Sequence, residues 1–141
     1  MKKTFLCILY LISMSIMACS HENIPISKND LPQKALQFIN TYCPDFEIAT
    51  IFRDGNEYEV RFANGSDIEF TKKGEWKSVD FQTYPVPTGF IPEAILSYIH
   101  NNFAQNYIVE ISRDHHGYDV ELNNGIDLDF DKEGAFIRID N

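Results

Sequence analysis

Two stretches of the chain carry apolar residues at helical spacing, and each has a proline near its start. Leu36 and Ile39 belong to the stripe in residues 31–42, and Leu96 and Ile99 belong to the stripe in residues 91–103. Residues three or four positions apart share one face of a helix, so both stretches are predicted to be amphipathic helices.

Four short segments of alternating apolar and polar residues follow each predicted helix. Alternation with a period of two indicates half-buried β-strands, and glycine-containing turns separate the segments. In the first set these turns are Asp54-Gly55, Asn64-Gly65 and Lys73-Gly74.

The two sets of elements repeat at an offset of 60 residues. Aligned without a gap, residues 31–80 and 91–140 are identical at 16 of 50 positions. Self-similarity at a fixed period indicates duplication of one supersecondary unit. The sequence therefore predicts an α+β protein of two tandem helix-plus-four-stranded antiparallel units, residues 31–81 and 90–141, joined by a linker at residues 82–89.

Turn lengths predict which residues lie opposite each other. The connection that ends in Gly65 pairs Val60 with Ile68, and a two-residue turn at Lys73-Gly74 pairs Phe70 with Lys77. The second copy follows the same rule and pairs Phe130 with Ile137. Alternation then defines an open face, the sheet face away from the predicted core. Its predicted members include Phe52, Trp76, Phe136, Arg138 and many acidic residues, among them Glu59, Asp67, Glu69, Asp119, Glu121, Asp127 and Asp129.

Trp76 and Phe52 define a candidate partner-binding surface, because exposed aromatic side chains are typical interaction anchors. Phe136 and Arg138 are the second-copy members of this candidate site, and Arg138 is expected to pair with Asp129. The alternative interpretation of Trp76 is structural, with its ring covering the end of the sheet or the seam between the copies.

The first residues have the pattern of an export signal. Two lysines precede a 14-residue uncharged run that is too short for a stable membrane-spanning helix. The stretch Ile16-Met17-Ala18-Cys19 resembles a lipobox, where bacterial lipoprotein signal peptidase cuts before a cysteine that carries lipid. We expect a signal peptide at residues 1–18, lipidation of Cys19 and a polar tether at residues 19–30. The alternative is an ordinary cleaved signal with Cys19 unmodified.

Charge and cysteine content narrow the possible partners. Loss of Lys2 and Lys3 with the signal would change the formal net charge from −9 to −11. This acidity disfavours nucleic acid and anionic membrane surfaces as partners, so membrane contact is expected only through the lipid anchor.

Cys43 would be the one cysteine left in the folded part of the mature chain. We expect it to be a small, buried, apolar core residue.

Motifs for catalysis and metal binding are weak. The run of alternate acidic residues in 127–133 resembles a calcium loop, but it lacks the glycine of an EF-hand at the sixth position. Strand alternation explains its spacing. Adjacent turn residues rarely face one metal, so His115-His116 is expected to be a solvated turn. We predict no catalytic residue, no metal site, no cofactor and no enzymatic activity.

The tandem repeat resembles the β-lactamase-inhibitor-like, PepSY-like family over roughly residues 31–140. The resemblance rests on Tyr58-Glu59-Val60, Asn64-Gly65 and Gly74-Glu75-Trp76 and on their second-copy partners. It implies one curved eight-stranded antiparallel sheet with both helices on one face, similar to β-lactamase inhibitor proteins. In those inhibitors the open face grips an enzyme. No inhibitory residue carries over to this chain.

These observations favour a lipid-anchored protein on the periplasmic side or the surface of the cell envelope. The leading hypothesis is a module that binds an envelope protein or an extended peptide through the open face, with inhibition of an enzyme as one form of that binding. The alternative is a cation-binding or small-ligand-binding sensor that uses the acidic face of residues 119–131.

Overall fold

Two α-helices and nine β-strands form within residues 23–140, the part of the chain that the computed structural model describes. The predicted signal peptide and Cys19 lie outside these residues. The helices are α1 (Gln33–Tyr42) and α2 (Glu93–Asn102). The strands are β1 (Ile24–Pro25), β2 (Ile48–Asp54), β3 (Glu57–Phe62), β4 (Asp67–Thr71), β5 (Trp76–Asp80), β6 (Ile108–Arg113), β7 (Gly117–Leu122), β8 (Asp127–Asp131) and β9 (Phe136–Asp140). Within residues 23–140, neither helix has the length and apolar character needed to cross a bilayer.

All nine strands form one antiparallel sheet in sequence order. The expected number of eight strands is wrong, because Ile24 and Pro25 add β1 to the free edge of β2. Lys28–Asp30 then forms a 3₁₀ turn that Ser27 caps. Residues 24–30, which the sequence assigned to the tether, therefore carry regular structure, with residues 24–26 hydrogen-bonded to β2.

The apolar side of the sheet packs against both helices. The ring of Phe38 on α1 lies 5.7 Å from that of Phe70, and the ring of Tyr98 on α2 lies 5.5 Å from that of Phe130. The strand residues buried on this side define the core face: Ile51, Val60, Ile68, Phe70, Val79, Ile111, Val120, Leu128 and Phe130. The alternate residues of the same strands define the open face.

Local hairpin registers follow the turn rules in part. The predicted pairing of Val60 with Ile68 is confirmed. Phe70, however, pairs with Trp76 and not with Lys77, because a β-bulge interrupts the ladder between β4 and β5. The extra residue in β5 turns Trp76 onto the core face. The predicted position of Trp76 on the open face is therefore wrong, and its side chain is only 7% exposed.

The second copy contains the equivalent bulge between β8 and β9. Phe130 pairs with Phe136 and not with Ile137. The predicted position of Phe136 on the open face is also wrong, since its ring stacks on Tyr98 of α2 at a centroid distance of 4.4 Å. Phe136 remains 36% exposed because β9 is the last strand of the described sheet.

Trp76 lies at the seam between the two halves of the sheet. Its ring lies 5.0 Å from Phe90 and 6.3 Å from Tyr118. The Arg113 guanidinium lies 4.2 Å from the centre of the Trp76 ring, and Arg113 Nε donates a hydrogen bond to the Trp76 carbonyl at 2.8 Å. Aromatic and cation–π contacts therefore join β5 to the second half of the chain.

Trp76→Ala should lower the free energy of unfolding by about 3 kcal/mol, because it removes a buried aromatic side chain at the seam. The matched substitution Phe136→Ala should cost about 1 kcal/mol, since that ring is partly exposed. Chemical denaturation measures both values. Trp76 is the one tryptophan of the chain, so the wild-type protein should also show the blue-shifted emission of a buried indole. Equal costs for the two variants would contradict the seam assignment.

Candidate functional site

One row of acidic residues crosses six neighbouring strands of the open face. From β4 to β9, each member lies directly opposite the next in the strand pairing. Neighbouring strands are about 4.8 Å apart, so the row extends over roughly 24 Å. We call this set the acid row, and its members are Asp67, Asp80, Glu110, Glu121, Asp127 and Asp140.

The acid row opposes the stability of the sheet that carries it. Like charges directly opposite each other destabilise an antiparallel pair. The neighbouring row of the open face is interrupted by Ser78, Ser112 and Arg138, whereas the acid row has no neutral or basic member between β4 and β9. Local rules of stability are most often broken at functional sites, so the acid row is the principal candidate site.

Burial and mutual repulsion shift the pKa values of two members. The pKa of Glu110 rises from 4.5 to about 7, first because of desolvation and then because of Asp80 and Glu121 beside it. Desolvation, followed by repulsion from Asp80, likewise raises the pKa of Asp67 from 3.8 to about 6. Raised pKa values mean that the charged forms of Glu110 and Asp67 are disfavoured, and a cation bound nearby would favour them.

Basic side chains stand at the two ends of the acid row. On β3, Arg61 lies opposite Asp67, but its side chain forms a salt bridge with Glu59, with Arg61 Nε 2.6 Å from Glu59 Oε1. On β9, Arg138 binds Asp129 at 2.6 Å, as the sequence predicted, and its guanidinium comes within 3.9 Å of a carboxylate oxygen of the row. The two arginines are therefore already engaged with carboxylates.

The middle of the acid row has no such counter-charge. Among residues 23–140, no salt bridge reaches Asp80, Glu110, Glu121 or Asp127. Asp80 is satisfied in another way, because it accepts hydrogen bonds from the backbone nitrogen and the side-chain amide of Gln82 at 2.7 and 2.8 Å. Within the described residues, Glu110, Glu121 and Asp127 are therefore the carboxylates of the row that are available to a positively charged ligand.

A depression of about 400 Å³ covers the second-copy half of the acid row. Its polar lining suits a cation or a cationic group better than an apolar ligand. The lining consists of Glu110, Ser112, Asp119, Val120, Glu121, Asp127, Asp129, Arg138 and Asp140. Its carboxylates do not form a tight metal cage, because the one group of three metal-binding side chains in residues 23–140 with all ligand atoms within 4.8 Å lies elsewhere.

The four side chains predicted as a partner-binding site do not share one surface. Phe52 is on the open face, opposite Glu59, with the Arg61 guanidinium 5.1 Å from the centre of its ring. Arg138 is on the same face, but it lies on β9, at the opposite edge of the sheet. Trp76 and Phe136 face the core. The aromatic-anchor surface is thus reduced to Phe52 alone.

Sequence reasoning missed Asp80, Glu110 and Asp140 as members of the site. The sequence could have placed Asp80 and Asp140 on the open face, because they lie two residues after Ser78 and Arg138 on the same strands and residues two apart share a face. The missing information was the pairing of β5 with β6, which sets Asp80 opposite Glu110. No turn length specifies that pairing, since the linker and α2 separate the two strands.

Comparison with known protein families shows which family the chain belongs to. The model of the family described as "Putative beta-lactamase-inhibitor-like, PepSY-like" matches residues 17–65 and 56–138. These segments span most of the sequence, so the chain belongs to this family. The resemblance noted in the repeat motifs is thereby confirmed. The curated proteins include no match to this chain.

Solved structures from Bacteroides share the fold. A protein of Bacteroides vulgatus described as a putative periplasmic protein has 37% identity and a TM-score of 0.83, with 86% of this chain and 99% of that chain covered. A protein of Bacteroides thetaiotaomicron described as a putative calcium-regulated periplasmic protein has 37% identity and a TM-score of 0.81, with 84% and 97% covered. A second Bacteroides vulgatus protein, described as a putative periplasmic protein of unknown function, has 32% identity and a TM-score of 0.80, with 85% and 100% covered.

Glu110→Gln should raise the free energy of unfolding at pH 8 by about 1 kcal/mol, after allowance for solvent screening, and should change it little near pH 4. The folded pKa of about 7 lies above the reference value of 4.5, so the unfolded chain ionises first and stability falls as pH rises between these values. Denaturation at several pH values measures the difference between variant and wild type. Glu133→Gln, in an exposed turn, is the control. An equal pH dependence in both variants would contradict the assignment.

Proposed function

We propose that this protein is a binding module of the cell envelope whose open face receives a positively charged segment of a partner protein. The acid row is the observation that carries the proposal, because six carboxylates lie side by side across the sheet although their mutual repulsion destabilises it. A basic segment would relieve their repulsion and would gain charge-assisted hydrogen bonds. The proposed role is therefore binding and not catalysis.

The family and its solved members support this role. The family is described as "Putative beta-lactamase-inhibitor-like", and the similar Bacteroides proteins are described as putative periplasmic proteins. In β-lactamase inhibitors of related architecture the open face grips an enzyme, so inhibition of an enzyme is one form that binding here would take. An acidic surface would also steer a basic partner toward the face, and salt would slow that association.

A lysine-rich decapeptide should bind the wild-type protein with an affinity that falls as salt increases. The triple variant Glu110→Gln/Glu121→Gln/Asp127→Asn should bind it at least about 10-fold more weakly, because it removes the central charges of the acid row. Fluorescence anisotropy of a labelled peptide measures both affinities.

The matched control is Asp45→Asn/Glu93→Gln/Glu133→Gln, which changes net charge equally at exposed positions away from the acid row. It should bind the peptide nearly as the wild type does. Equal weakening in both triple variants would show that overall charge, and not the acid row, attracts the peptide. That result would overturn the proposal.

Calcium is the second candidate ligand, and the Bacteroides thetaiotaomicron protein described as calcium-regulated favours it. Carboxylate oxygens are the ligands that Ca²⁺ prefers, and the ion accepts irregular geometry with six to eight oxygens. Added CaCl2 should then raise the melting temperature of the wild type but not that of the acid-row triple variant. Calcium stabilisation without peptide binding would place this candidate ahead of the first.

We also propose that lipid on Cys19 holds the folded part at a membrane of the envelope. The lipobox-like stretch that ends at Cys19 supports this. A single residue would thus decide whether the protein is anchored or free.

Cys19→Ser should move the protein from the membrane fraction to the soluble fraction of cells that express the full chain, because lipid can no longer be attached. Immunoblots of fractionated cells measure the distribution. Cys7→Ser, within the predicted signal, is the control and should leave the protein with the membranes. Membrane association of Cys19→Ser equal to that of the wild type would contradict the lipid anchor.

A further inference from the structure

The turn between β6 and β7 gathers three metal-binding side chains at the surface. Asp114, His115 and His116 each offer a ligand atom, and these atoms all lie within 4.8 Å of one another. The two imidazole rings are 3.8 Å apart between centroids. Adjacent residues rarely face one metal, which is why the sequence favoured a solvated turn, but this turn places both rings on the same side.

Hydrogen bonds fix the backbone of this turn. The Asp114 carboxylate accepts from the backbone nitrogen of His116 at 2.7 Å and from that of Gly117 at 3.2 Å. The Asp114 backbone nitrogen donates to the Gly117 carbonyl at 3.1 Å. Gly117 is required because any Cβ at this position would overlap the backbone of Phe130 in β8. The hydrogen bond from His116 also lowers the pKa of Asp114, so its carboxylate is ionised at neutral pH.

We propose that Asp114, His115 and His116 bind one divalent transition-metal ion of the zinc or copper class. Two imidazole nitrogens with one carboxylate suit these ions, whereas calcium prefers an all-oxygen set. Zinc binds nitrogen at about 2.0–2.1 Å, so the side chains must close from their present spacing to tetrahedral distances. All three side chains are exposed, and both hydrogen bonds to the Asp114 carboxylate go to one of its oxygens, Oδ1.

Three protein ligands leave a fourth coordination position for water or an external group. The turn borders two surface depressions that offer room for such a group. One has a volume of about 400 Å³ and includes Trp76, Arg113 and Tyr118 in its lining. The other has about 270 Å³ and includes Asp129 and Arg138 of the open face. The metal site would thus stand beside Asp129 and Arg138 and would not share the carboxylates of the acid row.

The first copy provides a natural comparison. At the 60-residue offset, Asp54-Gly55-Asn56 occupies the place of Asp114-His115-His116, after an arginine in both copies. The aspartate is common to both turns, and the two imidazoles are confined to the second. The double substitution His115→Gly/His116→Asn therefore gives the second turn the residues that already close a hairpin in the first.

Titration of the full chain with ZnCl2 at pH 7.5, followed by isothermal calorimetry, tests the proposal. The wild type should bind one ion at this site, and His115→Gly/His116→Asn should weaken that binding at least about 10-fold while circular dichroism stays unchanged.

The acid-row triple variant Glu110→Gln/Glu121→Gln/Asp127→Asn separates this site from the proposed function. It should retain zinc binding while it loses the lysine-rich peptide, and His115→Gly/His116→Asn should show the reverse. Zinc binding of unchanged affinity in His115→Gly/His116→Asn would overturn the proposal. Loss of zinc in the acid-row variant alone would overturn it as well, since the carboxylates would then be the ligands.

Discussion

The pairing of β5 with β6 is the constraint on which the rest of the structure depends. It sets Val79 opposite Ile111 on the core face and Asp80 opposite Glu110 on the open face. The first pairing makes the two apolar surfaces continuous, with Trp76 and Arg113 in contact beside them. The second makes two short sets of acidic residues into one row across six strands. One register therefore produces both the stability of the sheet and its most unfavourable electrostatic feature.

The two faces of the sheet have opposite energetic roles. Buried apolar pairs such as Val60 with Ile68 stabilise the fold, and hydrophobic burial is its dominant favourable contribution. The acid row works against that contribution, because burial and like charge raise the pKa of Glu110 to about 7. A surface that is destabilising when empty gains stability when a cation or a basic segment binds, since anything that binds the folded state alone shifts the unfolding equilibrium. This coupling connects the fold to the proposed binding role.

Sequence patterns predicted the local elements better than the connections between them. Helical spacing found both helices, and the turn at Gly65 gave the Val60–Ile68 register, because these features depend on neighbouring residues. The bulges at Lys77 and Ile137 were missed, because the turns before Trp76 and Phe136 have three residues, 72–74 and 132–134, and not the two that were predicted. The strand at Ile24–Pro25 is too short to show alternation. The acid row needed the β5–β6 pairing, which is a long-range contact that the 60-residue repeat does not specify.

The central claim is that the acid row is a binding surface whose carboxylates repel one another until a cation or a basic segment binds. Its most direct test is a carbon-13 NMR titration of the side-chain carboxyl of Glu110. In the free protein this carboxyl should titrate near pH 7, and its midpoint should move to lower pH when CaCl2 or the lysine-rich decapeptide is added, because a bound cation favours the charged form. A midpoint near the reference value of 4.5 in the free protein, with no displacement by either ligand, would contradict the account.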